Sequence, residues 1–252
     1  MIQGLEKYRH FFKGFDDRYT LIGGVACYLC MDDAGLDFRA TKDLDIVLCA
    51  EALDAEFVGK FWQFIQEGQY EHLEKSTGDK QFYRFTRPSN NEYPFMLELF
   101  SRKPDDFLLE FDNNLTPIPV DEEVSSLSAI LLDEGYYQCI KEGKEVIDDL
   151  PVLKPEYIIP FKMRAWLDLS YRKSQGEAID SKNIKKHKND VFKILQLLTP
   201  EQKVIISDTI KEDMRAFIKG MKQEKIDFKS LGLKGMNLES VSLTMSKIYD
   251  LK

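Results

Sequence analysis

The sequence predicts an α+β fold: a mixed β-sheet with flanking helices over residues 1–150, followed by a C-terminal helical domain over residues 151–252. Three observations carry the expectation. Strand and helix patterns alternate from the first residues to about Gly68; short β-rich runs separated by turn residues follow; and from Lys154 onward apolar residues return only at helical spacing. A chain of 252 residues with 43% apolar and 31% charged side chains can bury a core of this size without disulfides or metal staples.

The elements follow in order. Leu5, Tyr8, Phe11 and Phe12 recur at helical spacing, so residues 2–15 should form an amphipathic helix. Tyr19 to Ile22 is a short strand, Gly23-Gly24 breaks it, and VACYLCMDDAG is a helix that stops at Gly35. KDLDIVLCA (42–50) is a second strand and EALDAEFVGKFWQFIQEG (51–68) a second long helix. QFYRFT, YPFMLELFS, LTPIPV and VSSLSAILL are expected to supply the rest of the sheet. The helical patterns PEYIIPFKMRAWLDLSYRK, KKHKNDVFKILQLL and PEQKVIISDTIKEDMRAFIKGMK make up the last third. The domain boundary is expected in the proline-flanked stretch from Asp148 to Pro155, and SQGEAIDSKN should be an exposed loop.

A formal charge of -8 argues against wholesale coating of nucleic acid, which needs a basic face. Four scattered cysteines do not make a disulfide framework, and no signal-peptide centre or membrane-length apolar run occurs. The expected setting is therefore the cytoplasm, without membrane insertion. Cys27 and Cys30 form a CxxC on an apolar helix, where two buried small residues are the simpler reading.

The chemistry-bearing residues are three carboxylates. On a strand, Asp43 and Asp45 project from the same face about 6 to 7 Å apart, and two like charges so placed repel. Glu98 lies in FMLELF, a strand apolar on both faces, where a lone carboxylate costs several kcal/mol and needs a partner. Oxygen ligands converging from two strands suit Mg²⁺ or Mn²⁺. A plainer reading stays open: Asp43 and Asp45 mark a strand entry, and Glu98 salt-bridges Arg84 of the neighbouring YRF strand. Upstream, Gly23-Gly24 sits where backbone N–H groups and a helix N-terminus could receive a phosphate, although many such turns hold glycine for conformational reasons only.

Taken together, L-I-G-G at 21–24, R-A-T-K-D-L-D-I-V at 39–47 and M-L-E-L at 96–99 resemble the nucleotidyltransferase (DNA polymerase β-like) superfamily. Within it, the R-x-T-x-D-x-D form, K-M-R-A-W at 162–166 and K-H-K-N-D-V at 186–191 look most like the AbiEii branch of abortive-infection and type IV toxin–antitoxin systems. The chain differs in carrying Glu98 where many members have Asp, and Phe38 where a histidine is usual.

The resemblance implies transfer of a nucleoside monophosphate from an NTP to an acceptor hydroxyl. Asp43, Asp45 and Glu98 would hold Mg²⁺ or Mn²⁺ and do the catalysis. Gly23, Gly24, Arg39, Thr41 and Lys162 would bind the nucleotide, although Lys162 reads equally as a snorkelling lysine. The acceptor is left open among RNA, protein and a small molecule, and a cognate toxin or antitoxin is an implied partner. The rival reading is a non-catalytic nucleotide-binding or toxin–antitoxin regulatory protein on the same fold. His187 and Asp190, three apart on one helical face, read as cleft residues or as a helix-stabilising pair, and Arg164 and Lys188 as phosphate ligands or as partners of nearby acids.

Overall fold

A computed structural model describes residues 2–49, 54–75, 82–100, 116–117, 130–131 and 133–251. The chain divides into two compact units. The first comprises Met1–Asp121 and Lys144–Leu153, the second Glu122–Gly143 and Lys154–Lys252. The partition is interleaved rather than a single cut at 150/151, because residues 144–153 form a hairpin on the sheet of the first unit.

In the first unit, helix α1 (Leu5–Phe11) precedes β1 (Tyr19–Ile22), α2 (Gly23–Asp33), β2 (Asp43–Leu48), α3 (Ala55–Gly68), β3 (Tyr70–Lys75), β4 (Phe82–Pro88), β5 (Met96–Phe100) and β6 (Thr116–Pro117). The hairpin β7 (Lys144–Ile147) and β8 (Leu150–Leu153) completes an eight-stranded mixed sheet among the described residues, in the order β6-β3-β4-β5-β2-β1-β8-β7. β1 runs antiparallel to β2, β2 parallel to β5, and β5 antiparallel to β4. Alternation then sorts the side chains. Leu44, Ile46, Leu48, Leu97 and Leu99 are all fully buried on one face.

Aromatic rings of α1 and α3 cover that face. Phe57 stacks on Tyr19 at 6.1 Å, Phe61 lies 5.8 Å from Phe85, and Phe12 lies 5.3 Å from Phe64. Each such pair adds roughly 0.5–1.5 kcal/mol beyond its buried area. The start of α3 is set by Asp54, whose carboxylate accepts from the Phe57 N–H at 2.8 Å. The hairpin turn Asp148-Asp149 has φ of 51° and 61°, the left-handed pattern of a tight two-residue loop. Exposed ion pairs from Lys13 to Asp149 (2.9 Å) and from Arg9 to Asp148 (3.5 Å) tie it to the end of α1.

The second unit is helical: α4 (Glu134–Glu142), α5 (Pro155–Ser174), α6 (Ser181–Ile194), a 3-10 turn (Leu195–Leu197), α7 (Asp208–Met221) and α8 (Leu238–Tyr249). Ile159, Met163, Leu169, Val191, Ile194, Ile210, Met214, Phe217 and Ile248 form its core. The helix expected from Pro200 begins only at Asp208. Ser207 caps it by accepting from Ile210 N–H, and the β-branched run before it is extended, with Val204 N–H donating to the Ile248 carbonyl at 3.0 Å.

One further difference lies in the segment before α4. VSSLSAILL was expected as a strand, yet its described residues, Ile130 and Leu131, are helical; the rest of that segment, and all of LTPIPV but Thr116–Pro117, lie outside the described residues. No helix among the described residues is long and apolar enough to cross a membrane.

Candidate active site

The sheet register lays the acidic residues side by side. β2 and β5 run parallel with Asp45 opposite Glu98 and Asp43 opposite Met96, so all four project from the face away from the aromatic core. On one flank Ile22, the last residue of β1, stands opposite Asp45; on the other, Arg84 of β4 stands opposite Glu98. One row across four strands is thus Ile22, Asp45, Glu98, Arg84. Asp43 and Asp45 are half-buried, whereas Glu98 is only 7% exposed.

The chain leaves β1 directly into the glycine turn. Gly23 has φ +64°, and a Cβ there would fall on Asp45 Oδ2, so the position requires both the left-handed backbone and the missing side chain. Gly24 N–H donates to Asp45 Oδ2 at 3.4 Å, a long bond. A Cβ on Gly24 would lie 2.8 Å from Thr41 Oγ1 and 3.6 Å from an Arg39 guanidinium nitrogen. Gly23, Gly24, Arg39, Thr41 and Asp45 therefore gather at the start of α2. Arg39 also lies over the Phe38 ring, 5.3 Å from its centroid.

Glu98 carries the main electrostatic tension. Burial raises its proton affinity most, the Asp45 carboxylate raises it further, and the Arg84 guanidinium opposes both; the balance leaves its pKa well above 4.5. Two carboxylates on neighbouring strands repel by about 3 kcal/mol at an effective dielectric near 20. Arg84 answers with two nitrogens on one oxygen: Nε donates to Glu98 Oε1 at 2.7 Å and Nη2 lies 2.6 Å from the same atom. The Arg84 partnership raised by the plainer sequence reading is thus present beside Asp45.

The carboxylates of Asp43, Asp45 and Glu98 are of the donor type that a divalent cation takes. Hard oxygen donors share one face, and the Asp45–Glu98 repulsion is what a cation would relieve. The set is not a closed cage: among the described residues, no three His, Cys, Asp or Glu side chains are gathered as a metal-holding group.

The remaining sequence candidates lie in the helical unit. Lys162 of α5 and Asp190 of α6 form an ion pair at 3.1 Å, with side chains 6% and 1% exposed. Arg164 pairs with Asp213 at 2.6 Å, and Tyr136 OH donates to the same carboxylate at 2.9 Å. Lys188 pairs with Glu224, and His187 is buried. These cations are thus held by acids of their own unit. Cys27, Cys30, Cys49 and Cys139 are buried and form no disulfide among the described residues; burial pushes the Cys139 thiol up to about 12.

No protein-family model matches the chain, and no curated protein matches it.

Proposed function

We propose that the chain is a metal-dependent nucleotidyltransferase of the DNA polymerase β-like type, closest in motif to the AbiEii branch, that moves a nucleoside monophosphate from an NTP to an acceptor hydroxyl. The observation that carries the reading is the juxtaposition of a strand-to-helix glycine turn with a carboxylate pair on adjacent parallel strands: Gly24 N–H meets Asp45, and Asp45 stands opposite Glu98.

In this reading Asp43 and Asp45 hold Mg²⁺ or Mn²⁺, and Glu98 stands beside them as the third carboxylate. Gly23 and Gly24 let phosphate oxygens approach the N-terminus of α2, with Arg39 and Thr41 as the neighbouring cation and hydroxyl. The acceptor oxygen bonds to the α-phosphorus, the bond from that phosphorus to the β-phosphate oxygen breaks, pyrophosphate leaves, and Glu98 takes the acceptor's proton. A bound divalent cation would supply charge neutralisation on the phosphates. Lys162, committed to Asp190 in the helical unit, is not needed for the reading.

The Arg84–Glu98 ion pair favours a second reading, a non-catalytic nucleotide-binding or toxin–antitoxin regulatory protein, because it satisfies the third acid without a cation. Thermal melting with Mg²⁺ and each NTP, on the wild type and on Asp43→Asn/Asp45→Asn, tests both. Ligand at a hundred times its Kd adds about 2.7 kcal/mol, roughly 5–10 °C here. A Mg²⁺-dependent shift with one NTP that is lost in the double variant is expected. A shift without pyrophosphate release, whatever acceptor is offered, selects the regulatory reading; no shift with any NTP removes the nucleotide reading.

A further inference from the structure

We propose that Arg84 is a positioning residue of this site, gripping one oxygen of Glu98 so that the carboxylate is presented beside Asp45 as part of a divalent-cation platform. The inference rests on the nucleotidyltransferase reading and adds to it a residue outside the acidic motif.

Three adjacent strands place the group. β2 is parallel to β5 with Asp45 opposite Glu98, and β4 is antiparallel to β5 with Arg84 opposite Glu98, so the guanidinium meets Glu98 from the side away from Asp45. The contact is sheltered, with side chains 15% and 9% exposed, and long-side-chain freedom is already lost there. Nε and Nη2 converge on Oε1, at 2.7 and 2.6 Å. Two nitrogens of one planar guanidinium anchor that oxygen, a contact that a single lysine ammonium does not reproduce.

The charges also fit. Three carboxylates and one guanidinium meet on this part of the sheet, an acid-rich setting of the sign that a divalent cation requires. Without Arg84, a buried Glu98 next to Asp45 has no oriented counter-charge among the contacts described for it, and its carboxylate is free to turn from its neighbour. Groups that orient a metal-binding side chain typically change metal affinity by about 10–100-fold when removed.

The experiment is Mn²⁺ binding by electron paramagnetic resonance, with and without the NTP that shifts the melting point, on wild type, Asp45→Asn, Arg84→Gln and Arg84→Lys. The expected result is binding in the wild type, loss in Asp45→Asn, about 10–100-fold weaker binding in Arg84→Gln, and only partial recovery in Arg84→Lys, which keeps the charge but not the two-point grip. Arg84→Lys alone decides the matter where Arg84→Gln does not fold. Wild-type affinity in either variant that folds overturns the positioning role while leaving the nucleotidyltransferase reading standing. Absence of Mn²⁺ binding in the wild type, with or without nucleotide, overturns the cation platform and the positioning role together.

Discussion

Replacing Gly23 by alanine isolates the point where backbone conformation and the acidic site meet. The backbone there has φ +64°, which costs an L-residue about 1–2 kcal/mol. The new methyl would also occupy the space of Asp45 Oδ2, so that side chain must leave its rotamer and its long hydrogen bond to Gly24 N–H, a further ~1–2 kcal/mol. Gly23→Ala should therefore destabilise the protein by about 2–4 kcal/mol. In an Asp45→Ala background the backbone part remains, about 1–2 kcal/mol, with a 3.1 Å approach to the Cβ of residue 45, leaving a coupling energy of up to ~1–2 kcal/mol in a double-mutant cycle. Urea denaturation of the four proteins, followed by far-UV circular dichroism, reads these values. On the nucleotidyltransferase reading proposed above, the same variant should also lack the Mg²⁺-dependent response to NTP expected of the wild type, because the Asp45 carboxylate is displaced. Strict additivity of the two substitutions, or a Gly23→Ala protein within 0.5 kcal/mol of wild type, would refute the reasoning.

Lys162→Met removes the cation paired with the buried Asp190 carboxylate and should cost about 3–5 kcal/mol by thermal or urea melting, whereas Lys162→Met combined with Asp190→Leu should recover most of the loss; equal losses in the single and double variants would contradict a coupled pair. Glu98 makes stability fall as pH rises. Its folded pKa lies above the ordinary 4.5, so the folded state binds the proton more tightly than the unfolded chain, and stability declines from about pH 4.5 upward until the raised pKa is passed. Asp45 and Arg84 are the charged groups facing it, one steepening and the other reducing the decline. Melting points from pH 4.5 to 9 should slope less in Glu98→Gln than in wild type, and an unchanged slope would assign the effect elsewhere.

Much of the first unit was legible because single-chain periodicity and local chemistry agree there. Tyr19–Ile22, the glycine break and the helix after it stand where strand period, left-handed φ and helix period each demand them. β3 was missed because the sequence YEHLEK carries charged residues at both odd and even positions, so it shows no polar–apolar alternation. The β7–β8 hairpin was missed for a related reason: its turn uses Asp148-Asp149 in the left-handed region, where Asn-Gly is the common signal, so the stretch read as an interdomain linker. The segment at 200–207 read as helix because its apolar spacing suits either state; the Ser207 cap and the bond from Val204 to Ile248 settle it.

Within the candidate site, the sequence by itself determined that Asp43 and Asp45 share one face, because a strand period of two admits nothing else, and that Glu98 must have a partner, because a carboxylate on a doubly apolar strand cannot stay unpaired. It also determined that 23–24 is a glycine turn at a helix start. Which groups meet was decided only by the tertiary structure. Parallel pairing of β2 with β5 sets Asp45 opposite Glu98, and antiparallel pairing of β4 brings Arg84 to its other side. Packing of α5 on α6 gives Lys162 to Asp190. Local spacing fixes the direction of a side chain, but how separate segments pair and pack depends on which arrangement buries the most apolar surface, and that is a property of the folded chain.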